Sequence, residues 1–411
     1  MREFLTLVSP GEALKILIGA LPFGPVEEIV DTTQAVGRIL RRPIRAPHPL
    51  PNFNRATVDG YALRSRDTHG VTESLPAYLN MEGEVRMGSQ PDFSLNPGSC
   101  ALIHTGGMLP EGADAVIMIE NTQLSRPGEI EVLRSLAPGD NVVGVGEDVI
   151  QGETVIPAGS RLRPEEIGGL AALGITQVMV SRRPRVAILS SGDELVDPAS
   201  EISPGQVRDV NSYTLQALID QAGGQATLLG ILPDEPQSFL HAARQAIDEA
   251  DMVLFTAGSS VSVRDLTANT IDQLGPPGVL VHGVNVRPGR PTILAVCSGK
   301  PVIGLPGNPV SALVIARLFV LPALDHLLGA DRSRPRAELQ ARLTTNLPSQ
   351  AGREDWVPVR ITNTEAGLQA EPIFGKSNLI FTLVRADGLI RIPADANGLQ
   401  AGSWVVVKLM D

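Results

Sequence analysis

The chain has 411 residues, 43% of them apolar and 19% charged, with 34 Lys plus Arg against 45 Asp plus Glu and a formal net charge of −11. Such a composition excludes wholesale disorder. The acidic balance excludes a chain-wide match to a nucleic-acid phosphate backbone and leaves only a local basic site open.

At roughly 100–200 residues per domain, the length predicts about two to four domains. Cys100 and Cys297 stand far apart, with no spacing for a structural zinc or a disulfide framework. The opening MREFLTLVSP lacks the basic start and apolar run of a secretory signal. The longest apolar run, VSALVIARLFVLPALDHLL, carries Arg317 and Pro322 and makes a poor membrane span. The expectation is a cytoplasmic protein with neither a membrane nor a nucleic acid as partner.

In chain order, Ser9-Pro10-Gly11-Glu12 predicts a helix start, with Ser9 as cap, Pro10 in the first turn and Glu12 completing a capping box. TTQAVGRIL predicts a second short helix ending before Pro43. From about 50 to 160, Gly and Pro become frequent, and short apolar runs such as AVIMIE and ETVIPAG between turn signals predict β-structure. PEEIGGLAALGI predicts a helix. Beyond the basic linker SRRPR, the runs RVAILS, ATLLGIL, DMVLFTAG and PVIGL are short buried-strand candidates. They alternate with helices starting near Ser212, Pro236 and Thr267. That alternation predicts a three-layer α/β domain with a mostly parallel sheet. After DRSRPR, the runs DWVPVRI, GLIRIP and SWVVVKL predict a small C-terminal β-domain. The expected division is a discontinuous N-terminal linker domain over 1–49 and 146–181, a β-rich lobe over 50–145, the α/β domain over 182–328 and the β-domain over 329–411.

Ligands of open α/β sheets bind beyond the carboxyl ends of the strands. Four loops fall there: SSGDELV, LPDEPQ, TAGSSVSVRD and LPGNPVS. In the last, Asn308 is a good N-cap, Pro309 fits the first helical position and Ser311 lies in the first turn. Gly307 permits close approach or positive φ. Alone this stretch predicts only a capped helix, although a helix N-terminus also suits an oxyanion. In VNVRPGRPT, Arg287 and Arg290 flank Pro288-Gly289, which holds two guanidinium forks on a stiff turn, as tetrahedral oxyanions require. Asp193, Glu194, Asp234 and Asp265 fall in the same set of loops. If they converge, their repulsion calls for a cation such as Mg2+ or for shifted pKa values. Upstream, Asp59-Gly60 in PNFNRATVDGYAL reads as a hairpin signal, and Thr105-Gly106-Gly107 and Glu120 read as turn chemistry. No Ser/His/Asp triad, P-loop or dinucleotide fingerprint is present, and the six histidines show no metal-ligand spacing.

Taken together, VDGYAL, HTGGMLPEGADAVIMIE, GEDVIQGETVIPAG, SSGDELV, RDVN, RPGRP and GLPGNPVSA resemble the molybdopterin molybdotransferases, the MoeA and gephyrin E-domain family. They occur in the family's order over nearly the whole chain. The resemblance implies a homodimer of four-domain subunits with an intersubunit active site, inserting molybdate into adenylylated molybdopterin. In that reaction Mg2+ or a similar divalent ion assists, AMP leaves, and the substrate is handed over by the adenylyltransferase.

Carried over by position, Asp59, Asp148, Asp234 and Asp265 are the implied catalytic residues, with Asp59, Asp234 and Asp265 holding the metal. Thr105, Glu120, Ser191, Gly192, Glu194, Asn211, Gly258, Ser262, Pro306, Gly307 and Asn308 are the implied substrate contacts. Arg287, Arg290, Pro291, Ser311, Arg353 and Ser377 are the implied molybdate contacts. Three departures stand out. Arginines replace the family's frequent lysines at 287 and 290, AGSSVSVRD replaces the usual glycine-paired loop, and VVGVGED lacks the usual basic tract. The alternatives are a molybdopterin adenylyltransferase, which shares the α/β domain type, and a catalytically weak pterin-binding scaffold.

Overall fold

The computed structural model describes residues 7–410, except 23, 234, 258–260, 332 and 334–336; the side chains at 257 and 261–265 also lie outside the description. The chain forms two compact units. One comprises residues 42–158 and 164–177, and the other comprises residues up to 41 together with 159–163 and 178–411.

The larger unit is built on a six-stranded sheet. Strands Gln225–Leu232, Arg185–Ser191, Met252–Ala257 and Lys300–Leu305 lie side by side and parallel, and Ile293–Cys297 and Pro277–His282 extend the edge antiparallel. Each apolar strand shows its alternate residues to opposite faces. Ile188 and Leu254 join a core with the helices Pro10–Ala20, Asn211–Gln221 and 309–328. Leu189 and Phe255 join a second core with Phe239, Ala243 and Ile271 of the helices Pro236–Glu249 and Val261–Asp272. Helices on both faces bury both sides of the sheet, which is why its strands read as continuous apolar runs. The two antiparallel edge strands were not singled out in the sequence, and the helix expected near Thr267 starts six residues earlier, at Val261.

The helix 309–328 is 20 residues long and apolar enough to cross a membrane by length and composition, but 67% of its most apolar window is buried inside the protein. It is a core helix. Gly329, at φ 61°, ends it in the left-handed conformation. A π-turn at Ala316–Val320 precedes Pro322, whose missing N–H breaks the regular ladder there.

The C-terminal residues form a closed five-stranded barrel. Glu354–Thr364 pairs with both Gly367–Pro372 and Gly388–Ile392, and the ring closes through Glu338–Leu343 and Trp404–Leu409. One further pairing fixes the site. Val286–Arg287, from the α/β domain, lies parallel to the barrel strand, with Val286 opposite Glu354 and Arg287 opposite Asp355.

The smaller unit holds a six-stranded mixed sheet in which Gly60–Leu63 runs between Ala115–Met118 and Ser99–Ile103. Asp59-Gly60 is therefore not a hairpin turn but the entry to a central strand. Gly60 is needed there because an added Cβ would overlap the carbonyl oxygen of Ile117. The helix expected over TTQAVGRIL, in the larger unit, is also corrected: only Thr32–Gln34 forms a single 3-10 turn. Gly37 then turns at φ 77°, and Ile39 and Leu40 are buried in bridges to Arg161 and Val180. Burial of these two apolar residues in β-pairing outweighs local helix propensity.

Candidate oxyanion site

Leu305 ends the last parallel strand and Pro309 opens the long helix, so 306–308 form the rigid connection between them. Asn308 is the N-cap residue with extended backbone, but its side chain does not cap the helix. Instead its Nδ2 donates to the Ser377 hydroxyl at 2.9 Å, which ties the loop to the barrel segment. Gly307 does not take up positive φ, and its carbonyl oxygen accepts from Asn211 Nδ2 at 2.8 Å. The helix terminus offers fewer free donors than the sequence promises. Pro309 has no N–H, Val310 donates to the Ser377 carbonyl, and Ala312 donates to the Asn308 carbonyl. Among the described residues only Ser311 in this first turn keeps both N–H and hydroxyl without a hydrogen-bond partner, although the residue is 4% exposed.

The RPGRP turn packs directly against this helix. Gly289 sits at φ 111°, and an added Cβ would collide with Ile315. Its carbonyl oxygen accepts from the buried Thr292 hydroxyl at 2.6 Å. The turn is thereby fixed, with Arg287 and Arg290 exposed on either side.

These segments enclose a cavity of about 850 Å3 between the α/β domain and the barrel. Its lining includes Arg287, Arg290, Pro291, Ser311, Arg353 and Ser377, the whole set implied as molybdate contacts, together with Pro306, Gly307 and Asn308. Two lining residues were missed in the sequence. Lys376 adds a fourth cation, and Asp355 is the one carboxylate in the lining. Asp355 is 4% exposed; its Oδ1 accepts from Arg353 Nε at 2.9 Å, and its Oδ2 accepts from the Ser349 hydroxyl at 3.0 Å, with Arg287 Nη1 3.9 Å away. An acid between two arginines, in a barrel strand that reads as ordinary β-pattern, gave no separate signal.

Close to the carboxyl ends of the strands, Ser190 Oγ lies 2.7 Å from Asp209 Oδ2, Ser212 Oγ and Thr256 Oγ1 in a buried network. Ser191 Oγ and Asn211 Oδ1 are buried without partners, so this edge retains unmet hydrogen-bonding capacity. Gly192 has φ 151°, and the Glu194 carboxylate folds back over it. Asp234 and Gly258 lie outside the described residues, as do the side chains of Ser262 and Asp265.

In the smaller unit, Asp59 and Thr105 come together. Asp59 Oδ1 accepts from the Thr105 N–H at 2.7 Å and from its hydroxyl at 2.9 Å, with His104 Nδ1 at 4.0 Å. The Thr105 backbone bond, its hydroxyl bond and His104 together hold the Asp59 carboxyl below the usual carboxylate range. Glu120 is exposed on the 3-10 turn Ile119–Asn121, next to the Ile119 N–H that donates to the Asp59 carbonyl. Asp148 stands on another turn, donating its N–H to Leu50, and no hydrogen bond or ion pair joins it to Asp59 among the described residues. No cluster of three His, Cys, Asp or Glu fit to hold a metal occurs among the described residues either. The expected trio of Asp59, Asp234 and Asp265 falls largely outside them.

Three family models divide the chain in order: the MoeA N-terminal region (domain I and II) over 8–174, a probable molybdopterin binding domain over 187–326, and the MoeA C-terminal region (domain IV) over 340–410. The chain is 34% identical over 391 residues to a putative molybdopterin biosynthesis protein of Methanocaldococcus jannaschii, covering 93% of this chain and 92% of that one. The chain belongs to the MoeA family. A MoeA relative from Nostoc, a molybdopterin molybdenumtransferase, is 36% identical over 385 residues, with 92% of this chain and 88% of that one covered. The crystal structure of a molybdopterin biosynthesis MoeA protein from Pyrococcus horikoshii superposes with a TM-score of 0.86 at 33% identity, covering 98% of this chain and all of that one. The MoeA fold thus accounts for the N-terminal β-structure, the central α/β domain and the C-terminal barrel alike.

Proposed function

We propose that this protein is a molybdopterin molybdotransferase, which inserts molybdate into adenylylated molybdopterin and releases AMP. The observation that carries the reading is the cavity, which is lined by four cationic residues and a first-turn serine with a single carboxylate among them. Guanidinium forks and a helix N-terminus stabilise a tetrahedral dianion and the charge that develops on a cleaved phosphoanhydride. The volume falls in the range of roughly 300–1,000 Å3 usual for small-molecule sites, larger than one oxyanion needs. It therefore leaves room for part of a pterin beside the oxyanion.

In this proposal Arg287, Arg290, Arg353, Ser311 and Ser377 receive molybdate, with Pro291 shaping the turn. Ser191, Gly192, Glu194, Asn211, Gly258, Ser262 and 306–308 receive the pterin nucleotide. A divalent ion, Mg2+ by the preference of hard cations for carboxylate oxygen, belongs to the same reading with Asp59, Asp234 and Asp265 as its holders. Asp148 joins Asp59, Asp234 and Asp265 as a catalytic carboxylate, Thr105 and Glu120 are assigned to substrate contact, and the fourfold domain division and a homodimer sharing its active sites complete the proposal.

The test is incubation with adenylylated molybdopterin, molybdate and Mg2+, followed by measurement of AMP and cofactor. Asp59→Asn is expected to fold normally and to slow AMP release by about 100-fold, the scale of a lost general or electrostatic catalyst. Near-normal turnover in that variant would remove Asp59 from the mechanism. ATP consumption with free molybdopterin identifies an adenylyltransferase instead, and binding without turnover identifies a scaffold.

A further inference from the structure

We infer that Asp355 is a positioning residue for oxyanion recognition: its buried carboxylate aims the guanidinium groups of Arg353 and Arg287 into the cavity. The inference deepens the proposed function and rests on it for the identity of the oxyanion.

The geometry is specific. The Asp355 side chain is 6% exposed, whereas that of Arg287 is 64% exposed and that of Arg353 30%. The acid is the buried partner and the cations are the more exposed ones. Arg353 spends its Nε on Oδ1 at 2.9 Å and leans one terminal nitrogen towards Oδ2 at 3.5 Å. One edge of its planar fork is thus committed to the protein, and the remaining N–H groups are left for a ligand. Arg287 lies 3.9 Å from Oδ2, and its backbone is registered against Asp355 by the parallel pairing of Val286–Arg287 with the barrel strand. Ser349 donates to Oδ2 at 3.0 Å and keeps the carboxylate from turning away. Two arginines from segments 66 residues apart in the chain are therefore collected on one acid. The Asn285 side-chain amide and the Gly352 carbonyl, which bond to each other, close the same junction.

Two effects of removing the carboxylate oppose each other. Charge alone makes the cavity more positive and tightens oxyanion binding. Orientation makes binding weaker, because Arg353 and Arg287 then lose the contact that selects their rotamers before the ligand arrives. Asp355 is buried and holds Arg353 by its Nε and a terminal nitrogen together, so we assign the larger effect to orientation.

The sign of the change decides. Asp355→Asn keeps the shape and one acceptor but removes the charge. Its molybdate KM and its equilibrium molybdate Kd, titrated without pterin, are expected to rise about tenfold, the equivalent of one charge-assisted hydrogen bond. The KM for adenylylated molybdopterin and the kcat at saturating molybdate should stay within about twofold, a uniform loss of molybdate binding. Ser349→Ala leaves the cavity charge unaltered and tests the same point should the first variant fail to fold; its molybdate KM and Kd are expected to rise about threefold, the scale of a typical intramolecular hydrogen bond. An unchanged or lowered molybdate Kd in the folded variants overturns the inference. A wild-type protein that binds molybdate but releases no AMP sinks the proposed reaction, while the Kd values of the variants still decide the role of Asp355. A wild-type protein that binds no molybdate overturns both.

Discussion

At the residue scale, Asp59 shows how a family motif becomes a physical device. Thr105 donates two hydrogen bonds to one carboxylate oxygen, and both favour the charged form. The folded carboxyl titrates below its unfolded value, so the stabilisation is present above the usual carboxylate pKa and is lost as pH falls through the lowered native one. Thr105→Val removes the hydroxyl donor and keeps the backbone donor. The Asp59 pKa should then rise towards the ordinary value without reaching it, as followed by carboxyl NMR titration. If Asp59 acts as an anion, the acid limb of the activity profile moves to higher pH in the same variant; an unmoved pKa removes Thr105 from this role. The pairing of Asp59 with Thr105 was legible only as two motif residues 46 positions apart. Asp355 was not legible at all, because its significance lies in burial between two arginines that the chain brings together from distant segments.

At the element scale, the sequence is most informative where one short segment carries its own instructions. GLPGNPVSA encodes strand, turn and helix through Pro309 at the first helical position and an extended Asn308, and the structure follows that order. What it does not encode is where the donors go. The Asn308 amide and the Val310 N–H are both spent on Ser377, a residue between two barrel strands. Barrel closure depends on non-local pairing, and TTQAVGRIL failed because bridges from distant segments decide its last residues. Ile293–Cys297, by contrast, pairs locally with Lys300–Leu305 across the two-residue turn Ser298-Gly299, a hairpin signal that was passed over. The RPGRP turn is the opposite case, with local stiffness confirmed by packing. Gly289 combines φ 111° with no room for a Cβ beside Ile315. Gly289→Ala is expected to cost about 1–3 kcal/mol from backbone strain, with more if Ile315 does not move aside. Denaturant unfolding measures the loss, and molybdate titration should show weaker binding because both arginines hang on this turn. Wild-type stability and affinity together would show that the turn is not held by this contact.

At the scale of the whole molecule, charge sets up a conflict between global and local fields. The chain carries −11 overall, yet the cavity gathers Arg287, Arg290, Arg353 and Lys376 around a single carboxylate. A molybdate dianion approaching from solution meets the repulsion of the whole chain first and the attraction of the cavity last. The two act over different distances, and salt separates them. At about 0.01 M the Debye length is about 30 Å and the global field reaches the incoming ion; at about 0.15 M it shrinks to about 8 Å, and distant carboxylates are screened while contacts inside the cavity persist. At about 1 M even the short-range attraction is weakened, with a screening length near 3 Å. Molybdate affinity is therefore expected to pass through an optimum at intermediate ionic strength rather than fall steadily. Titration by calorimetry across this range, with an ion such as chloride that cannot satisfy two guanidinium forks at once, measures it directly. A steady weakening from the lowest salt upward would mean that the local cations dominate at every distance and that the acidic balance of the chain plays no part in ligand capture.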